Sequence, residues 1–145
     1  MNRRKTVPIR GRADAETFRY FTVDTANRML PLVKRIVDDI VREYRALDMM
    51  RLDLITRGGS RSAELPDDRR REMESRIERV NRYLEELSDL GVQFKDWRLG
   101  LVDFPALRDG QPVLLCWKQG EERVEHWHDA AEGFAGRKPI EPAVE

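Results

Sequence analysis

One cysteine, Cys116, in 145 residues excludes an internal disulfide framework and a four-cysteine zinc site. No apolar run reaches the roughly 18 residues that a membrane helix needs. Neither charge is in excess: 27 basic residues face 27 acidic ones. That balance argues against nucleic acid as a partner, because binding it takes a basic surplus that displaces counterions. The N-terminus is basic but has no apolar run behind it, so it does not read as a secretory signal. Together these absences lead us to expect a cytoplasmic protein with no membrane span.

What the chain does have is charge. Charged residues make up 37% of it, against a usual ~25%. Helices with one wet face absorb such a surplus. The length suits one domain with a modest core. Residues 1–17 carry five Arg or Lys against two acids and almost nothing apolar, so they read as a flexible basic tail. A single domain is expected over 18–140, mainly helical over 18–91 and mainly strands and loops over 92–140. Residues 141–145 read as a second tail.

Phe18–Val23 is aromatic enough for a short strand. Thr22 can then cap a short helix, Val23–Leu30, which should kink at Pro31 into a longer one. Val33, Ile36, Val37, Ile40, Tyr44, Leu47, Met50 and Leu54 recur at three- and four-residue spacing and mark one apolar stripe. Asp38, Asp39, Arg42 and Glu43 are assigned to the wet side. Glycines 58 and 59 break the helix, and a polar loop follows. Asp67–Leu90 carries the second stripe, Met73, Ile77, Val80, Leu84 and Leu87, and Gly91 ends it. Two stripes of similar length predict an antiparallel helical hairpin.

After Gly91 the hydrophobic period shortens to about two residues, as in strands. Pro105–Pro112 reads as a turn region centred on Asp109-Gly110. Val113–Lys118 and Arg123–His128 read as a hairpin joined near Gln119-Gly120. The fold class is therefore α+β: a long antiparallel helical hairpin packed on a small antiparallel β-sheet.

Chemistry concentrates between Gly100 and Arg137, a stretch that holds the only cysteine and both histidines. His126 and His128 are two apart on a predicted strand and share a face. His-x-His can ligate a metal, with Asp103 or Asp129 adding a carboxylate. Cys116 could act as a nucleophile only beside a base or cation. A two- or four-residue hairpin loop puts Cys116 on the face opposite His128; an odd loop would bring them together. Asp103, between apolar neighbours, should be partly buried and locked by Arg137 or Arg108. Arg137, beside Gly136, could instead hold an anion. The tryptophans 97, 117 and 127 are expected in the core.

The segments FTVDTANRMLPLV, LGVQFKDWRLGLVDFPALRDGQPVLLCW and WHDAAEGFAGRKPI carry a resemblance to the bacterial family called domain of unknown function 2203. It extends over about Phe21 to Ile140. Thr25 stands where that family usually has an acid, which weakens the capping box at the first helix. His128 falls within the matched motif and His126 does not. The resemblance implies a small soluble prokaryotic protein and brings no activity with it.

Function therefore rests on the site. The first reading is a binding or interaction module that holds a small anionic ligand or a partner protein at the sheet end formed by Asp103, His128, Asp129 and Arg137, with Cys116 nearby. One alternative is a small enzyme, metal-dependent or acid–base, using His128 and Asp103. Another is a self-associating scaffold that forms a homodimer through its helices. No cofactor is predicted; a divalent metal at His128 and Asp103 is the one metal candidate.

Overall fold

The structure, a computed structural model, describes residues 20–58 and 65–141. The tail over 1–17, the start of the expected first strand, the glycine-containing part of the interhelical loop and residues 142–145 lie outside the described residues. Helix α1 spans Val23–Gly58 and helix α2 spans Asp67–Asp89. The strands are β1 (Gln93–Asp96), β2 (Leu101–Arg108), β3 (Gln111–Lys118), β4 (His126–Asp129) and β5 (Lys138–Pro139), with a short 3-10 turn at Phe134–Gly136. The sheet order is the chain order, β1 to β5, and every strand pairs antiparallel with the next. This is the α+β architecture expected.

Helix α1 begins on a closed capping box. Thr22 Oγ1 accepts from the Thr25 N–H at 3.0 Å, and Thr25 Oγ1 accepts from the Thr22 N–H at 2.8 Å. A hydroxyl thus does what an acidic side chain does in the usual box, and Thr25 costs the cap nothing. The kink expected at Pro31 does not divide the helix, which runs on for 36 residues. Pro31 removes one backbone donor, but its neighbours Leu30 and Val33 are anchored in the core. That packing holds the helix together across the missing bond.

The expected strand at Phe18–Val23 shrinks, among the described residues, to one parallel bridge between Phe21 and Ala106. Phe21 N–H donates to the Pro105 carbonyl at 2.7 Å. That bond also explains how Pro105 sits inside β2 rather than in the turn expected over Pro105–Pro112. A strand residue's N and C=O point to the same side. The nitrogen of Pro105, which has no hydrogen, therefore points toward the edge that short β1 leaves open, where no ladder bond is lost. The reversal is confined to Asp109 and Gly110, with φ of 52° and 78°. Two positive φ values are what a two-residue I′ turn requires.

The core is one cluster between α1, α2 and one face of the sheet. Ala26, Leu30, Val33, Val37 and Ile40 meet Val102, Phe104, Ala106, Val113, Leu115 and Trp117. From α2, Val80 and Leu87 are buried. Ile77, assigned to the inner stripe, is instead 42% exposed. The reason is Glu43, assigned to the wet side but only 6% exposed. Its carboxylate takes Arg76 Nη1 at 2.9 Å and Arg79 Nε at 3.0 Å. Turning Arg76 and Arg79 toward α1 turns Ile77 away. Burial alone would raise the Glu43 pKa, but the hydrogen bonds and charges of Arg79 and Arg76 outweigh it and hold the group below its ordinary value.

Candidate functional site

The site depends on register. β3 pairs with β2 through Asp103↔Cys116 and with β4 through Cys116↔His126 and Leu114↔His128. Residues directly opposed across strands share a face. Asp103, Cys116, His126 and His128 therefore all project from the sheet face turned away from the helices. The tight hairpin at Gln119-Gly120, which would have separated Cys116 from His128, is not what forms. The chain turns there, with Glu121 N–H donating to the Lys118 carbonyl at 3.1 Å. It then leaves β3 and docks on α1. Val124 N–H donates to Asn27 Oδ1 at 2.7 Å, and Asn27 Nδ2 donates back to the Val124 carbonyl at 3.2 Å. With Val124 buried in the core, pairing resumes only at His126. The connection 119–125 is odd in length, and that parity brings cysteine and histidine together. Gly100 makes the turn possible: a Cβ there would meet Gln119 Cβ at 2.6 Å.

Three side chains form the centre. Asp103 is 2% exposed, Cys116 0% and His128 2%. A ligating atom from each lies within 4.8 Å of the other two. His128 Nδ1 sits 2.8 Å from the Asp129 carbonyl, and Nε2 sits 3.1 Å from Asp103 Oδ1. A carbonyl can only accept, so Nδ1 carries a hydrogen. Nε2 faces the Asp103 carboxylate. Cys116 is held as the thiol. Burial and then the negative charge of Asp103 push its pKa up to about 12, against the opposing pull of Arg137.

Charged groups surround the centre. Lys95 Nζ lies 3.7 Å from Asp103 Oδ2, with its side chain 41% exposed. Arg137 donates through Nη2 to Glu121 Oε2 at 2.6 Å and to His126 Nδ1. The expected lock between Asp103 and Arg137 is thus replaced by two pairs, Lys95 with Asp103 and Glu121 with Arg137. Arg108 instead lies over the Trp127 ring, 4.5 Å from its centroid, with Lys138 at 4.6 Å. The Arg137 guanidinium lies over Phe134, and its buried Nε has no hydrogen-bond partner among the described residues. The Asp129 side chain, paired in register with Val113 on the other face, is exposed. Only its backbone carbonyl serves the centre.

Of the residues singled out from sequence, Asp103, Cys116 and His128 come together, Arg137 stands beside them, and the Asp129 carboxylate is elsewhere. Lys95, Glu121 and the role of His126 were missed. Glu121 lies in the diverted loop, whose path depends on the contact of Val124 with Asn27, 97 residues apart; no local pattern marks it. Trp117 is in the core. Trp97 is not: it borders an open groove of about 480 Å³ near β1, with Tyr44, Leu84, Phe94 and Arg98.

No helix among the described residues is long and apolar enough to cross a membrane. An α+β domain with a buried carboxylate, thiol and imidazole on its outer sheet face is the class that these features define. The chain belongs to the family described as uncharacterized conserved protein (DUF2203), whose model matches residues 19–140. No curated protein and no solved structure matches the chain.

Proposed function

We propose that this protein is a binding module whose ligand site is the outer sheet face at Asp103, Cys116 and His128. The observation that carries the reading is the burial of these three polar groups, each at 2% exposure or less, on the sheet face turned away from the helices. Burying a carboxylate and an imidazole is costly even when they are paired, and apolar residues would fill the same space at lower cost. A set of donors retained at that cost is suited to a ligand. The same geometry argues against catalysis by these groups. Both ring nitrogens of His128 are engaged, and Cys116 is a buried thiol rather than a thiolate. The test is a thermal-shift panel of zinc, cobalt, magnesium, inorganic phosphate and acetate on purified protein. At least one should raise the melting temperature of the wild type and leave a folded His128→Gln variant unmoved. A panel that moves neither protein, or both equally, overturns the reading.

A further inference from the structure

We infer that the ligand is a soft divalent transition-metal ion of the zinc class, held by Asp103 Oδ1, Cys116 Sγ and His128 Nε2. This rests on the site proposed above and names what it takes.

The donor set comes first. Thiolate and imidazole select zinc, cobalt and their neighbours over magnesium and calcium, which prefer oxygen alone. One ligating atom from each of the three residues lies within 4.8 Å of the other two. In a tetrahedral zinc site donors stand roughly 3.3–3.6 Å apart, given metal–ligand bonds of about 2.0–2.3 Å. His128 Nε2 and Asp103 Oδ1 are already at 3.1 Å, so rotamer adjustment of Cys116 and slight opening of the pair would suffice. The donors come from three consecutive strands, β2, β3 and β4, a mounting that hydrogen-bonded ladders fix in place.

The second observation is the orientation of His128. Metal-bound histidines characteristically donate their other ring N–H to a carbonyl or carboxylate, which fixes the tautomer. His128 has this arrangement: Nδ1–H is bonded to the Asp129 carbonyl at 2.8 Å, and Nε2 is turned toward Asp103.

Charge balance is the third. A dication with one carboxylate and one thiolate is neutral, as a buried site requires. Coordination displaces protons from the coordinating atoms, the thiol proton among them, to solvent. Nearby Arg137 is already neutralised by Glu121. Lys95 opposes the cation, but it is 41% exposed and can turn out into water. Three protein ligands leave one position of the tetrahedron for a water or a small anion.

Cobalt(II) tests this directly, because a thiolate–cobalt bond gives a charge-transfer band in the near ultraviolet. Titration of chelator-treated protein should give that band, together with the visible bands of a four-coordinate ion, and should saturate at one cobalt per chain. Zinc should displace the cobalt; magnesium in excess should not. Cys116→Ser, chosen because it keeps size and hydrogen bonding, should abolish the charge-transfer band while circular dichroism shows the fold intact. His128→Gln and Asp103→Asn should each weaken binding at least ~10-fold, since even supporting groups cost that much. A wild type that binds phosphate or acetate but shows no cobalt bands would sink the metal assignment and leave the binding-module reading standing. Cobalt bands that survive in Cys116→Ser would also sink it, because the ion would then sit elsewhere. No response to any member of the panel would remove both readings.

Discussion

The two faces of one sheet are both buried, and by opposite means. The inner face carries Val102, Phe104, Val113, Leu115 and Trp117 against the helices. Its stability is apolar surface removed from water, roughly 25 cal/mol per Å². The outer face carries Asp103, Cys116 and His128 at equal burial, turned away from α1 and α2. There the groups must satisfy one another, and the arrangement depends on geometry rather than area. An inner-face substitution should lose energy in proportion to the volume removed. An outer-face substitution should lose energy according to which partner is left alone.

The largest expected effect is on the inner face. Phe104→Ala should cost about 3–5 kcal/mol, as large aromatic truncations in cores do. Urea melts read it, and a loss under 1.5 kcal/mol would mean that the cavity collapses and the inner face is not tightly packed.

On the outer face, in the presence of chelator, Asp103→Ala should cost about 2–4 kcal/mol because His128 then lacks its partner. Adding His128→Ala should cost much less than its own single substitution, since the abandoned group is gone. A double-mutant cycle that comes out additive would break the comparison: the two residues would be filling space rather than pairing.

Between the helices, Glu43→Gln should cost about 1–3 kcal/mol, below the range for a fully buried pair because Arg76 and Arg79 keep partial solvent contact. The folded Glu43 pKa is lowered, so its stabilisation is fully present above the ordinary value of 4.5. It fades as pH falls below that value and through the lower folded one. The gap between wild type and Glu43→Gln should therefore narrow in acid, and melts at neutral and acidic pH would show it. A constant gap would assign the loss to packing.

The smallest effect belongs to Ile77→Ala, at less than about 0.5–1 kcal/mol given its exposure. A loss comparable to that of a buried leucine would mean that another surface covers Ile77.

The helical hairpin was legible because its signal is local: two apolar stripes at helical spacing and Gly91 as a stop, which closes α2 with Val92 N–H on the Leu87 carbonyl at 3.0 Å. The Asp109-Gly110 reversal was legible for the same reason. What could not be read depended on distant partners. Pro105 looks like a turn residue until Phe21 is seen to take its carbonyl. Glu43 looks solvated until two arginines of α2 reach it. The pairing of His128 with Asp103 was within reach of sequence reasoning because both stand on strands near the sheet's end. The approach of Cys116 was not, because hairpin parity is set by Asn27 on α1.

Asn27 has a consequence for how the chain reaches this structure. Every strand pairs with its sequence neighbour, so each sheet ladder closes only a short loop, and such contacts form quickly. The contact between Asn27 and Val124 spans 97 residues and carries a further closure cost of about 2 kcal/mol. A chain that has folded its hairpins but not yet docked Asn27 is free to pair β3 with β4 in the even register that tight turns favour. In that register Cys116 and His128 point to opposite sides. The register that brings the outer-face groups together is thus tied, through one asparagine, to the first helix.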